Sequence, residues 1–112
     1  MAAKNAKCPA EFTLAMIGGR WKIPIIFHLL AGKKRFSELA RLLTGVTQKM
    51  LTQQLRELER NGLVEREIFA QVPPRVEYSL TELGRSLFPV VDAMCRWGEQ
   101  HGEPGLAREA SK

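Results

Sequence analysis

The stretch Thr44–Gly62, TGVTQKMLTQQLRELERNG, decides the fold, because its residues sort onto two unlike helical faces. Wound at about 3.6 residues per turn, Thr47 to Asn61 gathers Met50, Leu51, Leu55 and Leu58 into an apolar stripe that must pack on another element. Gln48, Lys49, Thr52, Gln53 and Arg56 fall on the other side. A merely solvated face ordinarily alternates acids with bases, and this set contains no acid. Glutamine and arginine offer paired hydrogen bonds to base edges, while lysine and threonine reach bases or phosphates. Thr47 suits the N-cap, where its hydroxyl accepts from an orphan backbone N–H. Asn61-Gly62 suits the stop, with glycine free to turn left-handed. The segment reads as a DNA recognition helix.

Working outward, Phe36 and Ser37–Leu43 (SELARLL) form a short helix with Leu39, Leu42 and Leu43 inward. Thr44-Gly45-Val46 makes a tight connection to the recognition helix, which is helix-turn-helix spacing. Ahead of the pair, Lys33, Lys34 and Arg35 form a basic corner. They are candidate phosphate contacts, since the first helix of such a pair crosses the backbone. Behind it, Leu63–Phe69 and Val76–Leu80 are rich in Val, Ile, Phe and Tyr and read as strands. Two prolines stiffen the loop Ala70–Arg75 between them. A hairpin following a recognition helix is a wing, here about 63–80, placed on the neighbouring backbone or minor groove. Arg66 and Arg75 are its candidate contacts.

The ends of the chain supply further helices. Pro9 suits a first helical turn, and Phe12, Ala15 and Met16 give that helix one apolar side before Gly18-Gly19 ends it. Arg20–Leu30 is apolar on nearly every side, which implies deep burial, with Pro24 tolerated in the first turn. Thr81 caps a last helical region, which Pro89 should kink or break near Leu87–Pro89. Phe12 and Met16 in front, with Phe88, Val91, Met94, Cys95 and Trp97 behind, exceed what one small core needs. Left uncovered they would form an apolar patch, so two chains are expected to pair through them. Such a dimer would offer two recognition helices about 34 Å apart, or a multiple of that. The expected organisation is a flexible arm at 1–7, a folded unit at 8–102 and a flexible tail at 103–112.

Composition agrees. At 112 residues and 45% hydrophobic, the chain fits a single domain. A formal charge of +5 favours an acidic partner, nucleic acid or an anionic membrane surface. No run approaches the roughly 20 apolar residues of a membrane span, and Met1–Phe12 lacks a signal-peptide core. Two cysteines without a CxxC spacing suggest a reduced, cytoplasmic protein. His28 and His101 lack neighbours at metal-ligand spacing. With no Ser-His-Asp set and no phosphate-cradling glycine loop, an enzyme, a metal and a cofactor are all unexpected. A winged helix that docks a protein instead of DNA is the competing class. It would expose apolar or acidic groups where this chain places Gln48, Lys49, Thr52, Gln53 and Arg56.

Taken together, the motifs resemble the HxlR-type winged helix-turn-helix regulators, relatives of the MarR group. The carriers are Cys8-Pro9, Ile17–Lys22 (IGGRWK), Lys34–Leu39 (KRFSEL), Thr47–Thr52 (TQKMLT), Leu55–Glu59 (LRELE), Gly62-Leu63-Val64, Pro73–Tyr78 (PPRVEY) and Leu80–Gly84 (LTELG). The resemblance implies a mainly α protein with a small β-hairpin wing, a homodimer joined through its N- and C-terminal helices. It implies a cytoplasmic regulator on double-stranded operator DNA, switched by a thiol or by a small effector. Several members use a cysteine at the Cys-Pro position to sense oxidants or electrophiles. Cys8 is the corresponding candidate thiol here, with Lys4 and Lys7 nearby in sequence, an environment that activates thiols.

Overall fold

A computed structural model describes residues 8–102. The arm expected at 1–7 and the tail at 103–112 lie outside the described residues. Within them, six helices and three strands follow in the order α1 (Ala10–Ile17), α2 (Lys22–Leu30), β1 (Lys34–Arg35), α3 (Phe36–Leu42), α4 (Gln48–Arg60), β2 (Val64–Phe69), β3 (Arg75–Leu80), α5 (Glu82–Arg85) and α6 (Phe88–His101).

The apolar stripe of α4 does what its spacing demands. Leu51, Leu55 and Leu58 are each at most 1% exposed and meet Ile25, Ile26 and Leu29 of α2 with Leu39 of α3 in one core. Met50, at the stripe's edge, stays half-buried. Thr47 is the N-cap, its Oγ1 accepting from Met50 N–H at 3.0 Å. At the far end Gly62 takes φ +77°, the left-handed turn that L side chains avoid. The turn lets Leu63 N–H reach back to Leu58 O at 2.9 Å and starts the hairpin. Glu38 closes the N-terminus of α3 by accepting from Arg35 N–H at 2.7 Å.

The hairpin pairs β2 with β3 antiparallel, Val64 facing Leu80 and Phe69 facing Arg75. A third strand escaped the sequence reading. Lys34 and Arg35, expected as a corner, pair with Tyr78 and Glu77 to give the order β1-β3-β2. Two residues are too few for an alternating pattern to register in sequence, so only the tertiary pairing reveals the strand. The break expected at Pro89 is present: α5 ends at Arg85, and α6 restarts with the proline in its first turn, where a missing N–H costs no bond.

Three burial expectations need correction. Leu42, expected inward on α3, is 45% exposed at the last turn of that helix, while Leu39 and Leu43 are buried. Val91, expected at an interface between chains, is 1% exposed within a single chain and fills that chain's own core. Helix α2 is not buried all round: Phe27 is half exposed and shares a cleft with Leu30, Phe88 and Cys95. The 3.6-residue pattern marks a residue as inward but cannot say which neighbour it turns toward.

Candidate nucleic-acid interface

Helix α4 presents Gln48, Lys49, Gln53 and Arg56 exposed and Thr52 half-exposed, as its spacing requires. These five border one open hollow together with Glu57 and Arg60. Arg60 adds a cation that the sequence reading left out. Glu57 corrects the expectation of an acid-free face. It stands beside Arg56, and its carboxylate is engaged from behind by Lys22 of α2, with Nζ 2.6 Å from Oε1. The same ammonium donates to Gln54 Oε1 at 2.9 Å. The hydrogen bond and charge of Lys22 hold the Glu57 carboxyl below its ordinary range, with Arg60 adding to the pull. The face is therefore polar and basic with its one acid neutralised. Lys22 left no mark in the pattern beyond its place in a shared motif, because a lysine opening an apolar helix ordinarily points to water.

The expected flanking contacts divide. Arg66 on β2 is exposed and lies 3.7 Å from Glu59 Oε2. It also neighbours the buried Tyr78, whose phenol burial pushes above its usual range while Arg66 and Arg56 pull the other way. Arg66 thus sits at the seam between α4 and the wing. Arg75 is committed within the wing, its guanidinium stacked 4.3 Å over the Phe69 ring. Its Nε lies 3.2 Å from Glu77 Oε2 without the alignment of a hydrogen bond. Arg35 is exposed at the start of α3. Lys34 turns its Nζ toward Gly32 O at 3.4 Å. Lys33 borders a different cleft, with Glu65 and Arg85, to which α4 contributes nothing. Arg20, not singled out in sequence, stacks 4.4 Å over Trp21 and lies beside Gly45 in the turn of the helix pair.

Away from this face, Phe12 on α1 and Phe88, Met94 and Trp97 on α6 are between 47% and 67% exposed. Met16 and Cys95 pack partly against the core. Cys8 is exposed just before α1, where its carbonyl accepts from Glu11 N–H at 2.9 Å. His28 is half-buried with its ring 5.2 Å from that of Phe27, and burial together with Lys34 lowers its pKa. Among the described residues no three His, Cys, Asp or Glu side chains converge as a metal would need. No helix among them is long and apolar enough to cross a membrane.

Comparison with known proteins points the same way. The chain is 57% identical over 94 residues to the HTH-type transcriptional regulator YybR of Bacillus subtilis strain 168, covering 84% of this chain and 75% of the relative. It superposes on the redox regulator HypR in its oxidised form with a TM-score of 0.82 at 56% identity, over 86% of this chain and 99% of that one. The reduced form of the transcriptional regulator YodB from B. subtilis gives 0.74 at 40% identity, over 88% and 97%. Residues 16–105 match the HxlR-like helix-turn-helix family. With a recognition helix, a wing and relatives of this kind, the chain belongs to the HxlR-like helix-turn-helix family of transcriptional regulators.

Proposed function

We propose that the protein binds a specific operator as a two-fold homodimer in the cytoplasm, with α4 in the major groove and the β2–β3 wing on the flanking backbone or minor groove. The observation that carries this reading is the outward face of α4, where Gln48, Lys49, Thr52, Gln53, Arg56 and Arg60 converge on one hollow. Gln53 and Arg56 suit base edges, since arginine can donate two hydrogen bonds to a guanine and glutamine can donate one to and accept one from an adenine. Lys49, Arg35, Lys34 and Arg66 suit phosphates, whose contacts fix register without reading sequence. Arg75 is better placed to stiffen the wing. Paired chain ends would space two such helices by one duplex turn.

Control through Cys8 is the second element of the proposal. The thiol is exposed at the start of α1, the helix that carries the exposed Phe12, and the similar HypR is a redox regulator with oxidised and reduced structures. Modification there would act on the dimer and, through it, on the spacing of the helices.

A mobility shift on the gene's own upstream region tests both parts. Arg56→Ala should weaken binding by about 1–3 kcal/mol if the side chain reads a guanine. Diamide should release the unsubstituted protein and leave Cys8→Ser bound. Unchanged affinity and salt dependence in Arg56→Ala would remove that residue from the contacts. Identical responses of the two proteins to diamide would remove the thiol.

A further inference from the structure

We infer that Lys22 is a positioning residue for sequence reading: its ammonium clamps two points of α4 and sets the rotation at which Gln53 and Arg56 meet a duplex. This rests on the DNA-reading face proposed above.

Lys22 is only 8% exposed, the one charged residue in the core among the described residues. A lysine is almost never buried unless paired, and this one is paired twice, to Gln54 at 2.9 Å and Glu57 at 2.6 Å. Both partners lie on α4, three residues apart and so on one side of it. Each directly follows a proposed reading residue: Gln53 precedes Gln54, and Arg56 precedes Glu57. Leu51, Leu55 and Leu58 already hold α4 from below, but apolar contact is non-directional and tolerates small rotations. Hydrogen bonds to a charged donor are directional and short. The tolerance matters at the helix surface. With side chains about 5–6 Å from the axis, a rotation of about 20° moves a reading group by roughly 2 Å. That is enough to lose a base-edge hydrogen bond.

The clamp also has an electrostatic side. Glu57 borders the same hollow as Arg56 and Arg60, where a free carboxylate would repel phosphates. Lys22 neutralises it from behind without entering the face. An ion pair buried at one end only, as here, adds little stability, and such pairs are better attested as devices that select one arrangement.

The test uses the full chain and two duplexes: one selected from a random pool by the unsubstituted protein, and a scrambled one of equal length. Lys22→Met keeps the aliphatic stem and removes the ammonium. It should cut the preference for the selected duplex by about tenfold, as for coupled residues in one network, and weaken binding to both. Adding Glu57→Gln should restore affinity for the scrambled duplex but not the preference. A peg that only ties α2 to α4 would instead lower the melting temperature and, below it, leave the preference within about twofold; that result overturns the inference. Gln54→Met removes one clamp point from an otherwise intact helix and serves if Lys22→Met does not fold. It should lose preference several-fold, and an unchanged preference overturns the inference equally. If the unsubstituted protein selects no duplex, the DNA reading itself fails and this falls with it.

Discussion

At the scale of single residues, the Lys22–Glu57 pair shows how a side chain's role depends on what faces it. Glu57 is about one-third exposed, so solvent screens the pair and its contribution to stability is modest. Its direction with pH is definite. The folded carboxyl titrates below its ordinary value of 4.5 because Lys22 donates to it. A depressed folded pKa contributes stability above the unfolded value, and this is lost as pH falls through the folded one. Thermal melts from pH 7 to 3 should therefore show the unsubstituted protein more stable than Glu57→Gln at neutral pH. The gap should close below about pH 4.5. A gap that stays constant to pH 3 would mean the pair contributes by shape rather than charge.

Elements meet most tightly where the wing hands over to α5. Thr81 Oγ1 donates to Gly62 O at 2.6 Å and accepts from Gly84 N–H at 3.0 Å. It thereby ties the end of α4's turn to the start of α5. Gly84 is buried against the chain entering β2, and a Cβ built on it would stand 2.1 Å from Leu63 O. That oxygen belongs to the backbone, not to the far end of a flexible side chain, so the backbone must move. Gly84→Ala should cost about 1–3 kcal/mol, the usual penalty of overpacking, measured as a lower urea midpoint at unchanged slope. Because Leu63 leads into the wing, the variant should also bind DNA less well than its residual fold predicts. An unaltered midpoint would show that α5 can lift away without disturbing β2.

For the whole molecule, the exposed apolar surface at the chain ends governs assembly. Phe12, Phe88, Met94 and Trp97 remain exposed in one chain, and apolar residues gathered at chain ends favour association. We expect sedimentation at micromolar concentration to find a dimer. Phe88→Arg with Trp97→Arg should give a folded monomer, since neither residue belongs to the core. Losing the second recognition helix should then weaken operator binding by about 10²-fold or more, the usual gain from linking two sites. A variant that stays dimeric would move the interface elsewhere on the surface.

The stretch Thr44–Gly62 by itself determined a great deal. Its stripe, cap and stop set the bounds of α4 nearly to the residue, because periodicity, capping and left-handed turns are local physics written in adjacent side chains. The exposed face of α4, the hairpin and the break before Pro89 were legible for the same reason. What local pattern could not carry is which inward residue meets which neighbour. Only the tertiary structure turned Val91 to its own core, left Phe27 half bare, paired Lys34 and Arg35 into a strand and locked Arg75 onto Phe69. Lys22 is the sharpest instance. A lysine in an apolar helix has no local reason to be buried, and it is buried because α4, 32 and 35 residues onward, delivers an amide and a carboxylate to its ammonium.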